Sequence, residues 1–395
     1  MAQEIWHILD VGSIWMKEFS SALSRTVPTV AWSPKMSRLG MLQDWQHPEW
    51  LENPRLQVRH FPLQRGYARA PLRWVKPFEG KMLRRMSAES YRPELSPLIC
   101  STPFYAPVAE RWPGPVIYYS TDLTYAYEGL DAGQVKDLDR RLCRVARAVC
   151  PNSRRIADYF IGESGCDPGK ITIVPNATRA SNLLPEPAFA PGPLPDVIQD
   201  LPRPIAGVLG DLSGNMDWVL IEHAVRQTPQ LSWLFVGPTT RPIADPEQSS
   251  ARDRVAQGRS RFVGAKPYSE LQNYARALDV AVLPYRQKEP TYSGSSTRFY
   301  EHLAAGRPMV ATRGFAELLE KEPLLCLVDT AEELAETLGR MRTLNFCDGF
   351  EVARWEASQA GTWEERARTL RSALEQPESS ETSPIKKNTG VPLPA

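Results

Sequence analysis

The chain has 395 residues, with 47 Lys and Arg against 46 Asp and Glu, a formal net charge of +1. That balance argues against bulk electrostatic binding of nucleic acid. No apolar run approaches the roughly 18 residues of a membrane-spanning helix, and no N-terminal targeting pattern is visible.

The length suggests about two to three domains. Strands are expected at EIWHIL (4–9), PTVAW (28–32), LQVRHF (56–61), PLICS (97–101) and VIYYS (116–120). The turn Asp10-Val-Gly-Ser feeds a helix over IWMKEFSSALSR (14–25). Within residues 131–148, Val135, Leu138, Leu142, Val145 and Ala146 have the three-four spacing of an amphipathic helix. Asn152-Ser153 caps the helical stretch RRIADYFIGES, and ITIVPN closes the first half. Seven of the twenty residues from 185 to 204 are proline, which suits an extended connection. The alternation then restarts with PIAGVLG, MDWVLIEHAVRQ, LSWLFVG, RFVGAK and YSELQNYARA. LLCLVD, AEELAETLGRMR and a helix behind the capping box Thr362-Trp-Glu-Glu365 complete the half. Strand alternating with helix predicts an α/β protein with two Rossmann-like, doubly wound domains facing a cleft. The expected division is 1–183, a linker at 184–204, 205–360, a helix at 361–376 and a polar, disordered tail at 377–395.

The six cysteines (100, 143, 150, 166, 326, 347) form no CxxC pair and no metal spacing, so no metal site is expected. They suggest a reducing compartment, hence a cytoplasmic protein or one at the inner membrane face. Between Asn53 and Arg92, ten Lys and Arg stand against Glu79 and Glu89, with Tyr67, Trp74 and Phe78 interleaved. This segment reads either as a solvated basic face or as a peripheral contact with anionic membrane.

The most informative stretch is ALDVAVLPYRQKEPTYSGSSTRFYEHLAAGRPMVAT, residues 277–312. It reads as a buried strand, a Gly/Ser/Thr loop, a helix stopped by Gly306, and a new strand. That layout puts backbone N–H groups and hydroxyls at a helix start just beyond a strand end, where open α/β sheets bind ligands. The helix dipole favours a phosphate there. Ser293, Gly294, Ser295, Ser296 and Thr297 would surround it, and Arg298 would add charge. One turn on, the Glu301 carboxylate is suited to accept two hydrogen bonds from a ribose diol.

In the same stretch Pro284, Tyr285, Glu301, Ala305, Gly306, Pro308 and Val310 resemble the donor-binding segment of GT-B glycosyltransferases, nearest the family 4 type. The resemblance implies the GT-B fold, with the last helix crossing back onto the first domain. It also implies a nucleotide-diphosphate sugar donor (UDP- or GDP-sugar) and a glycan or lipid-linked acceptor in polysaccharide or envelope synthesis. It implies no separate cofactor, no metal, and retention of configuration. The family signature has two glutamates with seven residues between them. Ser293 stands where the first belongs, and Glu289 lies four residues earlier. Glu289 is therefore one candidate catalytic carboxylate. Relatives often use a His of the first domain near the reacting sugar. None of the five here stands at a strand end with a matching motif, and Asp122 in YYSTD is the other candidate.

Gly210 and Ser213 fall at the phosphate region, while Val263 and Gly264 match the strand end that meets the base. Gly12, Ser13, Lys17 and Tyr119 fall on the acceptor side. Relatives place basic residues soon after the Gly210 turn, yet the next here is Arg226. His223 and His302, in helices, read as packed or surface residues. A nucleotide-sugar epimerase of the same fold and an inactive nucleotide-sugar-binding protein are the alternatives.

Overall fold

The computed structural model describes residues 4–35, 53–62 and 76–375. The expected tail and the central part of the basic segment lie outside the described residues.

Two six-stranded, wholly parallel sheets dominate. The first contains β1 (Trp6–Leu9), β2 (Thr29–Lys35), β3 (Leu56–Pro62), β4 (Leu98–Cys100), β5 (Val116–Ser120) and β6 (Ala148–Pro151), in the order β3-β2-β1-β4-β5-β6. The second contains β7 (Ile205–Leu209), β8 (Ser232–Val236), β9 (Arg261–Phe262), β10 (Val280–Leu283), β11 (Met309–Thr312) and β12 (Cys326–Val328), in the order β12-β11-β10-β7-β8-β9. Each sheet grows outward from its first strand in both directions, so each has a switch point beside that strand. The strands are near-continuous apolar runs because helices cover both faces. β1, β4, β5, β6, β7 and β10 are buried at every position.

In the first domain the covering helices are α1 (Ile14–Ser24), α2 (Lys76–Glu89), α3 (Ala132–Val145) and α4 (Arg154–Gly162). The second carries α5 (Trp218–Gln227), α6 (Pro246–Gln257), α7 (Leu271–Ala277), α8 (Thr297–Ala305), α9 (Ala331–Thr343) and α10 (Glu351–Gln359). A last helix, α11 (Trp363–Glu375), packs on the first domain. Its Trp363, Ala367, Leu370 and Ala373 share a core with Phe19, Leu23 and Tyr119. Its start is pinned by backbone hydrogen bonds between Thr178 and Gly361 and between Trp363 and Thr178, and Glu365 N donates to Thr362 Oγ1. Helices α2, α6 and α10 have no counterpart in the sequence reading; their apolar positions are too few to show a strong period.

Two strand ends approach unusually closely. Gly210 follows β7 with φ +133°, and Gly237 follows β8 with φ +153°. A Cβ on Gly237 would lie 1.6 Å from the Gly210 carbonyl oxygen, so only glycine fits.

Candidate functional site

Helix α8 starts at the carboxyl end of β10, beside the second switch point. Ser296 caps it, its hydroxyl accepting from Phe299 N at 3.3 Å, and Gly306 closes it in the left-handed conformation at φ +73°. Arg298 and Glu301 lie one turn apart and form a hydrogen-bonded ion pair, their side chains 19% and 4% exposed. Glu301 Oε1 is buried with no well-placed hydrogen-bond donor among the described residues. The buried Tyr268 hydroxyl faces it outside good hydrogen-bond geometry, and burial first, then the Glu301 charge and that loose hydrogen-bond contact, hold its pKa well above the ordinary tyrosine value. Burial works against the Arg298 charge, but Glu301 outweighs it and the guanidinium pKa is raised. Arg298 also lies against the Gly210 turn: a Cβ there would come 3.0 Å from its Nε. Gly210, Arg298 and Glu301, read separately from the sequence, are thus brought together. Tyr285 borders the same place, its pKa pushed up to about 12 by burial, with Arg298 opposing.

The serine loop is held differently from expectation. Ser293 Oγ donates to Glu289 Oε1 at 2.6 Å, and Ser293 N donates to the other carboxylate oxygen at 3.2 Å. Across the cleft, Ser153 Oγ donates to Ser293 O at 2.5 Å and Arg155 Nε to Ser293 Oγ at 3.2 Å. Ser295 Oγ accepts from Asn176 N at 3.0 Å, and its carbonyl accepts from Asn176 Nδ2 at 2.7 Å. Ser296 N donates to Glu317 at 2.9 Å. The Ser293 hydroxyl thus gives its hydrogen to Glu289, whereas Ser295 and Ser296 accept from backbone N–H groups and keep their own hydrogens to donate. What the loop presents is the amide start of α8 at Thr297 and Arg298. Glu289, displaced in sequence, returns in space to the Ser293 position.

Truncating Asn176 to alanine removes the side-chain member of these cross-domain bonds and loosens the backbone one beside it. Hydrogen exchange of residues 293–297 is expected to rise several-fold, and unchanged protection there would show that the clamp does not restrain the loop.

On the opposite wall, Asp122 follows β5. A Cβ on Gly294 would lie 3.8 Å from its Oδ1, so the carboxyl faces the loop. Burial raises its pKa to about 7, against hydrogen bonds from Thr121 and Tyr127. Asp10, at the end of β1, has φ +63° and a pKa raised by burial to about 6. The folded protein holds a proton on Asp122 that the unfolded chain, with a carboxyl near 3.8, has already released. Stability from this group is therefore present at low pH and lost as pH rises from about 4 to about 7. Asp122→Asn is expected to flatten that fall in urea midpoints measured from pH 4.5 to 8. An unaltered slope would place the carboxyl among ordinary ionised ones.

Gly12 is exposed, and Ser13 caps α1 by accepting from Met16 N at 3.4 Å. Lys17 is buried on α1, which lowers its pKa. Its neighbour Glu18 pairs with Arg179, whose guanidinium lies 4.9 Å over the Tyr268 ring. Tyr119 is a correction: it is fully buried in the core against Phe19 at 5.0 Å, so its ring serves packing. Ser213 is buried, its carbonyl accepting from Trp218 Nε1 at 3.2 Å. Val263 N bonds Phe235 O at the sheet edge, and Gly264 accepts from Gly237 N at 3.0 Å. His302 is buried, its pKa lowered to about 3 by burial and by Arg298. His223 lies on α5, 3.2 Å from Glu332.

Sequence reasoning missed Asp10, Asn176, Ser153, Tyr268 and Arg241. Arg241, from the loop after β8, pairs with Asp211 at 2.9 Å and acts electrostatically on Tyr127 across the cleft. It supplies a cation near the Gly210 turn that the local sequence lacks. Its signal is PTTR at a strand end.

Two Rossmann-like domains facing a cleft, with an anion-favouring helix start and a buried carboxylate on it, define the GT-B fold. The comparisons agree: residues 203–343, nearly all of the second domain, match the family model "Glycosyl transferases group 1". A protein of Bacillus subtilis (strain 168) that bears the name "Putative teichuronic acid biosynthesis glycosyltransferase TuaH" is 26% identical over 108 residues. That alignment takes in 27% of this chain and 26% of the relative's length. Among solved structures, Anabaena Alr3699/HepE in complex with UDP and glucose superposes with a TM-score of 0.69 at 16% identity, over 95% of this chain and 100% of that one. Sucrose-phosphate synthase from Thermosynechococcus elongatus gives a TM-score of 0.72 at 17% identity, over 95% and 98%. At these identities the superpositions establish the fold.

Proposed function

We propose that the protein is a glycosyltransferase moving a sugar from a UDP- or GDP-sugar to a glycan or lipid-linked acceptor in polysaccharide synthesis, with retention of configuration. The observation that carries this reading is the buried Glu301 Oε1, which has only the loosely placed Tyr268 hydroxyl for a donor, beside Arg298 and the Gly210 turn. An oxygen so placed loses hydration and gains little from the Tyr268 hydroxyl, and a ribose hydroxyl would repay it. HepE, of similar fold, was solved with UDP-glucose. TuaH is named for teichuronic acid biosynthesis.

Cleavage of the donor leaves a diphosphate while the sugar becomes oxocarbenium-like. The α8 amides, Arg298 and Arg241 are suited to hold that charge. Asp122, poised near neutrality, faces the cleft from the acceptor side and is the group we assign to the acceptor hydroxyl. Glu289 reaches the donor through the Ser293 turn. Among the described residues no helix is long and apolar enough to cross a membrane. Lys81, Arg84 and Arg85 share the exposed face of α2, opposite buried Met82 and Met86, and would carry peripheral contact with anionic lipid.

The test is incubation with a panel of UDP-, GDP- and ADP-sugars. Release of free nucleotide supports the transferase. An altered sugar still joined to its nucleotide would mean an epimerase, and binding without turnover a binding protein. For the membrane face, salt-sensitive co-sedimentation with anionic but not neutral liposomes is expected. Equal recovery with both would retire that contact.

A further inference from the structure

A pocket of about 360 Å³ opens on the second domain between α5 and α6. Pro229, Leu231 and Trp233 place it at the amino end of β8, so it lies on the edge of the sheet away from the cleft. Its volume falls within the range of small-molecule sites. Leu231, Trp233 and Val255 form a buried apolar floor. Ser260 lines it with a hydroxyl that is buried and has no partner among the described residues.

The rim is a built charge cluster. Glu222, 10% exposed, accepts from Arg254 through both oxygens, at 2.7 and 2.8 Å, and also from Arg226. Arg226 and Arg254 thus share Glu222, Glu247 also acts on Arg254, and Arg259 lines the pocket without a carboxylate partner among the described residues. The carboxyl ends of α5 and α6 add about half a negative charge each, and Arg226 and Arg254 in their last turns partly answer that. With Glu222 and Glu247 counted, Arg259 is the cation left for a ligand beside the apolar cavity. Glu222 fixes the Arg254 fork in place, so the ordering of that side chain is already met before a ligand arrives.

We propose that this pocket binds a small carboxylate with a flat or branched apolar body, its charge at Arg259 beside Arg226 and Arg254 and its body on Trp233, with Ser260 Oγ giving a hydrogen bond. The site is separate from the cleft and does not depend on the donor reading.

Titration calorimetry of the full chain with 2-naphthoate tests it. Saturable one-to-one binding is expected. The uncharged 2-naphthylmethanol should bind at least about tenfold more weakly, since a charge-assisted contact is lost. Acetate, which has charge without an apolar body, should give no saturable heat. Arg254→Gln and the pocket-filling Val225→Trp should each weaken naphthoate binding about tenfold or more. Should Val225→Trp fail to fold by its thermal melt, Ser260→Leu replaces it. Absence of saturable naphthoate binding at millimolar concentration overturns the proposal. So does an affinity unchanged in both kinds of variant, or one equal for naphthoate and naphthylmethanol.

Discussion

Glu301→Ala is expected to weaken UDP or GDP binding by about ten- to 150-fold and to destabilise the fold in the same step. The first loss is that of a charged hydrogen-bond acceptor for the ribose, about 1.5–3 kcal/mol. The second follows from Arg298. Its guanidinium is 19% exposed and has Glu301 as its ion-pair partner, so removing the carboxylate leaves a largely buried charge uncompensated. Breaking such a pair from one side costs about 3–5 kcal/mol. The two effects separate experimentally. Glu301→Ala with Arg298→Met removes both charges and should recover much of the stability in urea denaturation, yet recover none of the nucleotide affinity. Calorimetry well below the melting midpoint of each variant reads the affinity. If Glu301→Ala unfolds early but binds nucleotide as tightly as the parent, the carboxylate is structural and the ribose assignment is wrong.

Gly237→Ala should be at least as damaging, by a different route. A Cβ at this position would overlap the Gly210 carbonyl oxygen at 1.6 Å, and φ there is +153°. Backbone cannot yield as a side-chain end does, so we expect a loss of at least about 3 kcal/mol. The Gly210 turn must move, and Arg298 rests against it, so nucleotide affinity should fall with stability. Gly214→Ala is the control. It lies in the same turn, where an added Cβ would meet nothing within 4 Å, and should stay within about 0.5 kcal/mol of the parent. Equal melting curves for the two variants would mean that the strand ends are not held together as described.

Much of the scaffold is legible in the sequence because its signals are local. The apolar runs of β5, β7 and β10, the cap at Ser153 and the stop at Gly306 each follow from a few adjacent residues. Glu301 and Arg298 are legible for the same reason, being one helical turn apart. The serine loop reads correctly as a helix start, but its anchors on the other domain do not show in the sequence. The residues that occupy that loop from the other domain, Ser153 and Asn176, stand 140 and 119 positions away from their partners. No periodicity reports a contact of that range. Tyr119 is misplaced from sequence because a strand end and a strand interior differ by one residue, and only packing against Phe19 decides between them. Arg241 escapes because its loop reaches the Gly210 turn through the sheet rather than along the chain.

The stitching of residues 293–295 to Ser153, Arg155 and Asn176 bears on domain exchange. A chimaera that kept the first half and took its second half from a relative would sever those bonds, unless the borrowed loop carried acceptors in the same places. Buried donors on Ser153 and Asn176 would then face the junction unsatisfied, at about 1–3 kcal/mol each. Recombination that respects this seam should exchange both sides together, so that the loop before α8 is inherited with the pieces of the first domain that hold it.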